Sequence, residues 1–477
     1  LEPTPHKWDA AGCVSGLRAW ATSRAPLTTY VSGVSAPVGG GVGSIYPELA
    51  RSVLPLLSRA RKGLIVAGGA LGAEDAWAII SLAKRTGWPV LTDVTSSLRV
   101  GIDSGAARAA GVCLVSHFDQ TLAEEPLWGN LFPDVVVQFG ERPLSKRLAK
   151  FLKRGTACGA TSARVLVAAH AARLDETHCA THRIVCTASA FVAATDEVTP
   201  GAAGATERAG SNPRILEQMA FTSLWSELSG AASRAVDLWL ASHESDAHRL
   251  TEMRVAVDIV EGLPERNALF LGNSMPIRDA DMFGESRGHH DGHLSTGAPV
   301  CANRGASGID GLVSSTVGYA AGTGLPTTLV IGDVSFMHDT NGLSMLRERP
   351  NLPPVAVVVI NNGGGRIFDF LPVSSTVSEG ELTQLFRTPP DTAIGEICAG
   401  MRVLHSVATT RADLSRALVD LRRRKRHGVV EVVVDGEANR LLHAELQCAV
   451  RAAVRGGAIA LGLPGAALAT GAASTML

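Results

Sequence analysis

An excess of either charge is missing from this chain: 44 lysines and arginines stand against 45 aspartates and glutamates, for a formal net charge of −1 and a pI near 7.0. Proteins of nucleic acid or of membrane surfaces need a basic footprint, so neither partner is expected. The one basic run, Arg422-Arg423-Arg424-Lys425-Arg426, follows leucines at 414, 418 and 421 and reads as the solvated C-terminus of a helix. Paired cysteines are also missing. Eight cysteines are scattered with no C-x-x-C spacing, which points to a reducing compartment, and neither His178-Cys179 with His182 nor His289-His290 with His293 has the second half a zinc site needs. No charged segment followed by an apolar one opens the sequence at Leu1, so no targeting signal is visible and a piece of a longer protein is expected. The Ala/Gly-rich run 456–473 carries Pro464 and too many glycines for a membrane span. Gly68-Gly69-Ala70-Leu71-Gly72 lacks the full G-x-G-x-x-G of a dinucleotide site and reads as a tight strand-to-helix turn.

What is present is apolar and periodic. A chain of 477 residues, 46% hydrophobic and with 50 glycines, is globular and too long for one core, so two or three domains are expected. Residues 1–45 read as a connecting arm. From Tyr46 to 193 strand patterns (Gly63 to Ala67, Pro89 to Thr92, Asp134 to Phe139, Arg164 to Ala168, Arg183 to Cys186) alternate with helical ones, the signature of a parallel, doubly wound α/β sheet. Residues 194–253 read as an insertion, Ala194 to Asn212, and a helical connector. A second parallel α/β domain follows over 254–436, with strands at Ala268 to Leu271, Pro299 to Ala302, Thr327 to Ile331, Val355 to Ile360, Arg402 to Leu404 and Val429 to Val434. Residues 437–477 read as a tail or linker, helical at first.

The stretch from Gly332 to Leu371 organises the second domain. An apolar strand runs into Gly332-Asp333-Val334-Ser335, a helical pattern extends to Leu346 with Ser335 as its candidate cap, and a second apolar strand ends on Asn361-Asn362-Gly363-Gly364-Gly365. Two strand ends thus face one ligand. A hard cation such as Mg²⁺ takes oxygen ligands in octahedral geometry, which Asp333, the Asn362 side-chain carbonyl and a carbonyl near Gly364 can supply beside two phosphate oxygens. The glycines admit a phosphate close to backbone N–H groups.

Gly-Asp followed about 26 residues later by Asn-Asn resembles the thiamine-diphosphate signature. Asn303-Arg304-Gly305-Ala306-Ser307-Gly308-Ile309-Asp310-Gly311, Gly272-Asn273-Ser274-Met275-Pro276-Ile277-Arg278, Arg366-Ile367-Phe368 and a Gly-Asp-hydrophobic-Ser in place of Gly-Asp-Gly narrow the resemblance to the 2-succinyl-5-enolpyruvyl-6-hydroxy-3-cyclohexene-1-carboxylate (SEPHCHC) synthase family, MenD. The likeness is strong from about Asn267 to Asp435 and weaker back to Leu1. It implies decarboxylation of 2-oxoglutarate and addition of the succinyl carbanion to isochorismate, in menaquinone and phylloquinone synthesis. It also implies thiamine diphosphate with Mg²⁺ or Mn²⁺ as cofactors. By the same resemblance Asp333, Asn362 and the Gly364 carbonyl hold the metal, while Ser335 and the N–H groups around Gly332, Gly364 and Gly365 meet the diphosphate. Arg278 and Arg304 bind substrate carboxylates, Ile309 bends the cofactor, Ile367, Phe368 and Leu371 wall the pocket, and Ser274 lies near cofactor or substrate.

The family places the activating glutamate in an N-terminal pyrimidine-binding domain, and no residue here matches it. The family also completes each site across a homo-oligomer interface, dimeric or tetrameric. With longer loops at 194–212 and 283–297, the resemblance fits the MenD portion of a plant- or alga-type multidomain protein, plastid-located in a photosynthetic eukaryote and cytoplasmic in a bacterium. Two alternatives stay open: a non-catalytic cofactor-binding or scaffolding module, and another thiamine-diphosphate carboligase such as an acetolactate-synthase-like enzyme.

Overall fold

Short runs of β-branched residues, apolar on both faces, belong in sheets covered on both sides. Val135–Phe139 is buried throughout, and Val355–Asn361 at all but its last residue. Each becomes an inner strand of its own parallel sheet. The structure, a computed structural model, describes residues 28–31, 49, 51–195, 212–243, 250–285, 297–349 and 351–466.

The first sheet holds β1 (Thr29–Val31), β2 (Gly63–Ala67), β3 (Val90–Thr92), β4 (Leu114–Val115), β5 (Val135–Phe139), β6 (Ala163–Ala168) and β7 (His182–Val185), in the order β1-β7-β6-β5-β2-β3-β4. The second holds β8 (Ala268–Leu271), β9 (Val300–Cys301), β10 (Thr327–Gly332), β11 (Val355–Asn361), β12 (Leu404–Ala408) and β13 (Gly428–Val433), in the order β12-β13-β11-β10-β8-β9. Every pairing is parallel. The expected α/β architecture of two doubly wound parallel sheets is what folds. In the second sheet the chain steps outward from β8 to β9 and then resumes on the other side of β8 with β10. Such a switch leaves a crevice at the carboxyl ends of β8 and β10, where open α/β sheets bind ligands.

The helices begin where caps allow. Those used below are α1 (Ala73–Thr86), α2 (Lys146–Ala157), α3 (Pro213–Ser242), α4 (Glu252–Glu261), α5 (Met275–Phe283), α6 (Leu312–Thr323), α7 (Asp333–His338), α8 (Arg411–Arg424) and α9 (Gly436–Ala460). Ser145, Asn212, Thr251, Thr410 and Asp435 each accept a backbone N–H at the start of α2, α3, α4, α8 and α9.

The segment read as a tail is, through Ala460, the helix α9. Its buried Leu446, Val450, Val454 and Ala458 enter one core with Phe221, Trp225, Leu228 and Val236 of α3 and with Phe118, Leu127 and Trp128 of the first domain. Glu124, 1% exposed, receives Arg451 Nε at 2.7 Å and Arg455 Nη2 at 3.1 Å, tying α9 to the first sheet's side of the molecule. A linker has no such buried stripe, so this part of the boundary is corrected. Ala466 is also buried, and residues 467–477 lie outside the described ones.

Three other readings shift. Most of the arm lies outside the described residues, but Thr29–Val31 pairs with β7 as an edge strand. Of the two expected insertions, 196–211 and 286–296 lie outside, while Ala194 and Thr195 finish a buried helix, Ala188–Thr195. The single helix expected from Asp333 to Leu346 breaks at Asp339 (φ −127°), whose carboxylate leaves the helix direction to accept Ser314 N at 2.7 Å and Ser314 Oγ at 2.9 Å.

Candidate active site

Four neighbouring strands, β11, β10, β8 and β9, end side by side, and each runs into a segment singled out in the sequence: 362–365, 332–335, 272–278 and 303–309. Register makes the first two strictly adjacent, Gly332 opposite Ile360.

Asp333 is buried, and its carboxylate is held by two backbone groups, Val334 N to Oδ1 and Gly364 N to Oδ2, both at 2.7 Å. The loop can come so close because Gly364 has φ +120° and no Cβ; a Cβ there would lie 2.4 Å from the Arg387 carbonyl oxygen. Asn362 donates its Nδ2 to Glu252 Oε1 at 2.7 Å. Its side-chain oxygen is buried and has no partner. Buried polar atoms are nearly always satisfied, and an orphaned oxygen beside a carboxylate and a glycine loop is chemistry that a hard cation would fit. Burial pushes the Asp333 carboxyl up against the pull of its backbone hydrogen bonds, and a divalent ion is what would hold it ionised. An all-oxygen set of this kind fits Mg²⁺ or Mn²⁺. Ser335 is buried in the first turn of α7 but caps nothing, since the helix starts at Asp333 with Gly332 as its cap.

Behind Asn362 lies a polar layer that sequence reasoning missed. Burial, then Asp279, raises the Glu252 carboxyl to about 7, opposed by the Asn362 amide and His443. His443 Nε2 of α9 sits 3.1 Å from Asp279 Oδ1 of α5, both fully buried. Burial lowers the imidazole's pKa, but the charge of Asp279 and then Glu252 lifts it above its ordinary value. The His443 ring also packs edge-on against Phe370 at 5.2 Å, joining α9 to the loop after β11. Glu252 stands 110 residues from Asn362, and nothing local in the sequence pairs them.

The β8 and β9 ends are joined by Asn273, 2% exposed. It donates to the carbonyls of Asn303 at 3.0 Å and Gly308 at 2.7 Å, and accepts Arg304 Nη1 at 2.7 Å. Its place inside the quoted Gly-Asn-Ser motif was the available signal. Arg278 donates to the Ser274 carbonyl. Burial, then the like charge of Arg304, lowers the Arg278 pKa, so the two guanidiniums share one neighbourhood and suit a carboxylate guest. Ser274 takes φ 73°, ψ −137°, a strained backbone for a side-chain-bearing residue.

Ile309, Ile367, Phe368 and Leu371 are each half-buried. Ile309 is framed by the Asn273–Gly308 hydrogen bond and by Asp310, whose carboxylate lies 3.2 Å from His338 Nδ1 at the end of α7. The 366–371 turn is fixed by Asp369, which accepts Arg387 Nε at 2.7 Å.

Residues 54–271 match a family model described as "Middle domain of thiamine pyrophosphate". "Protein PHYLLO, chloroplastic" of Arabidopsis thaliana is 32% identical over 94% of this chain and 25% of that protein. SEPHCHC synthases of Rubrobacter xylanophilus (35% identical, 83% of this chain, 62% of that protein) and Salinibacter ruber (31%, 96% and 69%) are similar as well. The chain thus spans a quarter of the plant relative and about two thirds of the bacterial ones. Among solved structures, benzoylformate decarboxylase from Polynucleobacter necessarius has a TM-score of 0.54 over 82% of this chain and 65% of that one, at 12% identity, a likeness of fold.

Proposed function

The chain belongs to the 2-succinyl-5-enolpyruvyl-6-hydroxy-3-cyclohexene-1-carboxylate synthase family, and on that premise we propose that it forms the central and diphosphate-binding parts of such a synthase, joining a succinyl unit from 2-oxoglutarate to isochorismate. The buried, unpartnered Asn362 oxygen beside the Asp333 loop carries this reading.

Thiamine diphosphate, when bound, supplies the electron sink for decarboxylation and carbon–carbon bond formation. The chain's residues do the rest. Asp333, Asn362 Oδ1 and the Gly364 carbonyl hold Mg²⁺ or Mn²⁺, and the N–H groups of the Gly332 to Ser335 turn and of Gly365 receive the diphosphate. Ile309 gives the cofactor an apolar support. Arg278 and Arg304 grip the carboxylates both substrates carry, and their mutual repulsion is relieved when an anion arrives. Ile367, Phe368 and Leu371 keep water from the reacting carbon. Their half-exposed state supports completion of the pocket by a pyrimidine-binding domain and a partner subunit. The plant relative's name supports a plastid home.

The test is turnover of 2-oxoglutarate and isochorismate by the chain combined with the pyrimidine-binding domain of a bacterial family member, thiamine diphosphate and Mg²⁺. Activity that falls at least a hundredfold in both Arg278→Ala and Arg304→Ala supports the reading; turnover indifferent to both arginines overturns it.

A further inference from the structure

Glu252 opens α4, 1% exposed, and its Oε1 accepts the Asn362 amide at 2.7 Å. In that hydrogen bond the amide presents its NH₂ to Glu252 and turns its oxygen the other way. That oxygen is the orphaned one. The rest of Asn362 has little freedom: its backbone carbonyl accepts Arg366 Nε at 3.2 Å, and Gly436 passes so near that a Cβ would lie 2.2 Å from that carbonyl oxygen. With the backbone pinned, the one remaining choice is which end of the amide faces the loop of Asp333 and Gly364.

We propose that Glu252 is the positioning residue of the metal site, fixing the Asn362 amide so that Oδ1, not Nδ2, faces the cation. Without it the amide can flip and present two N–H donors to a divalent ion. Partners that orient a metal ligand through its far side are worth about 10–100-fold in metal affinity. The contact through which Glu252 would act is its hydrogen bond with Asn362.

The inference rests on the reading of 332–365 as a metal site, and the test separates the two. Mn²⁺ binding in the presence of thiamine diphosphate is followed by electron paramagnetic resonance for the unaltered chain, Asp333→Ala, Glu252→Met, and the swap Glu252→Gln with Asn362→Asp. Unfolding midpoints are recorded for each. In the swap a glutamine amide donates to one oxygen of a carboxylate whose other oxygen ligates the metal, so the hydrogen bond is rebuilt with its polarity reversed. Glu252→Met, which keeps the bulk and removes the acceptor, is expected to weaken Mn²⁺ binding about tenfold, and the swap to recover it to within about threefold. Glu252→Met binding like the unaltered chain, or a swap no better than Glu252→Met, overturns the positioning role while leaving the site standing. Mn²⁺ binding that is absent, or unchanged in Asp333→Ala, overturns the site and the inference together.

Discussion

Two residues of the site hold conformations that other residues would accept more easily. At Ser274, φ 73° with ψ −137° is strain of about 1–3 kcal/mol for a residue with a Cβ. Ser274→Gly is expected to raise the unfolding free energy by about 1 kcal/mol, after the glycine's added chain entropy is counted, while weakening substrate binding. Chemical denaturation and KM measured together check this, and a variant both less stable and unchanged in KM would contradict it. Gly364 is the reverse case. With φ +120° and a carbonyl 2.4 Å from where a Cβ would be, Gly364→Ala is expected to lose about 2–4 kcal/mol and most metal-dependent cofactor binding, since the loop that hydrogen-bonds Asp333 must move. Arg304 offers a subtler test. Its fork reaches Asn273, and in the proposed reading its charge would serve a carboxylate guest, so Arg304→Lys is expected to keep the charge and still raise KM for the carboxylate substrates about tenfold.

Among the elements, α9 separates what sequence shows from what it hides. The strand pattern of 355–360 is legible because six consecutive apolar residues buried on both faces leave no other reading. Strands β1 and β4 are not, since three and two residues at sheet edges make no pattern. Helix α9 was legible as a helix but not as part of the core, because its partners Trp225 and Glu124 lie far away in the chain and its glycines and alanines resemble a linker's. The site divides the same way. Asp333, Asn362, Arg278 and Arg304 stand in local motifs, while Glu252 and His443 join them only through tertiary packing. Leu446→Ala in α9 is expected to cost about 3 kcal/mol by cavity formation, in a measurement of urea unfolding; an unchanged midpoint would return α9 to the status of a tail.

At the edge of the second sheet, His405 Nε2 lies 2.9 Å from Glu431 Oε2, and Asn361 Nδ2 donates to Oε1 at 2.7 Å. The His405 hydrogen bond, against burial and with help from Asn361, holds the Glu431 carboxyl below the usual carboxylate range. A depressed folded-state pKa stabilises above the unfolded value, and that stability is lost as pH falls through the folded one. Glu431→Gln should therefore flatten the acid limb of the stability profile below about pH 4.5, by about 1–2 kcal/mol.

For the whole molecule, two parallel sheets are held in one body by buried charge as well as by α9. Arg99, from the first domain, lies 3.0 Å from Asp281 of α5 with both side chains almost fully buried, and also donates to the carbonyls of Thr92 and Gly284. Burial drives the Asp281 carboxyl well up, with Arg99 opposing. Removing the guanidinium strands an acid in the interior, so Arg99→Met is expected to cost about 3–5 kcal/mol and to loosen the crevice between β8 and β10 along with it.

The measurement that bears most directly on the account is isothermal titration of the chain with thiamine diphosphate, with and without Mg²⁺, for the unaltered protein and Asp333→Ala. The account predicts binding that requires Mg²⁺ and disappears in Asp333→Ala while the unfolding midpoint stays within a few degrees; binding that ignores Mg²⁺, or survives in Asp333→Ala, would contradict it.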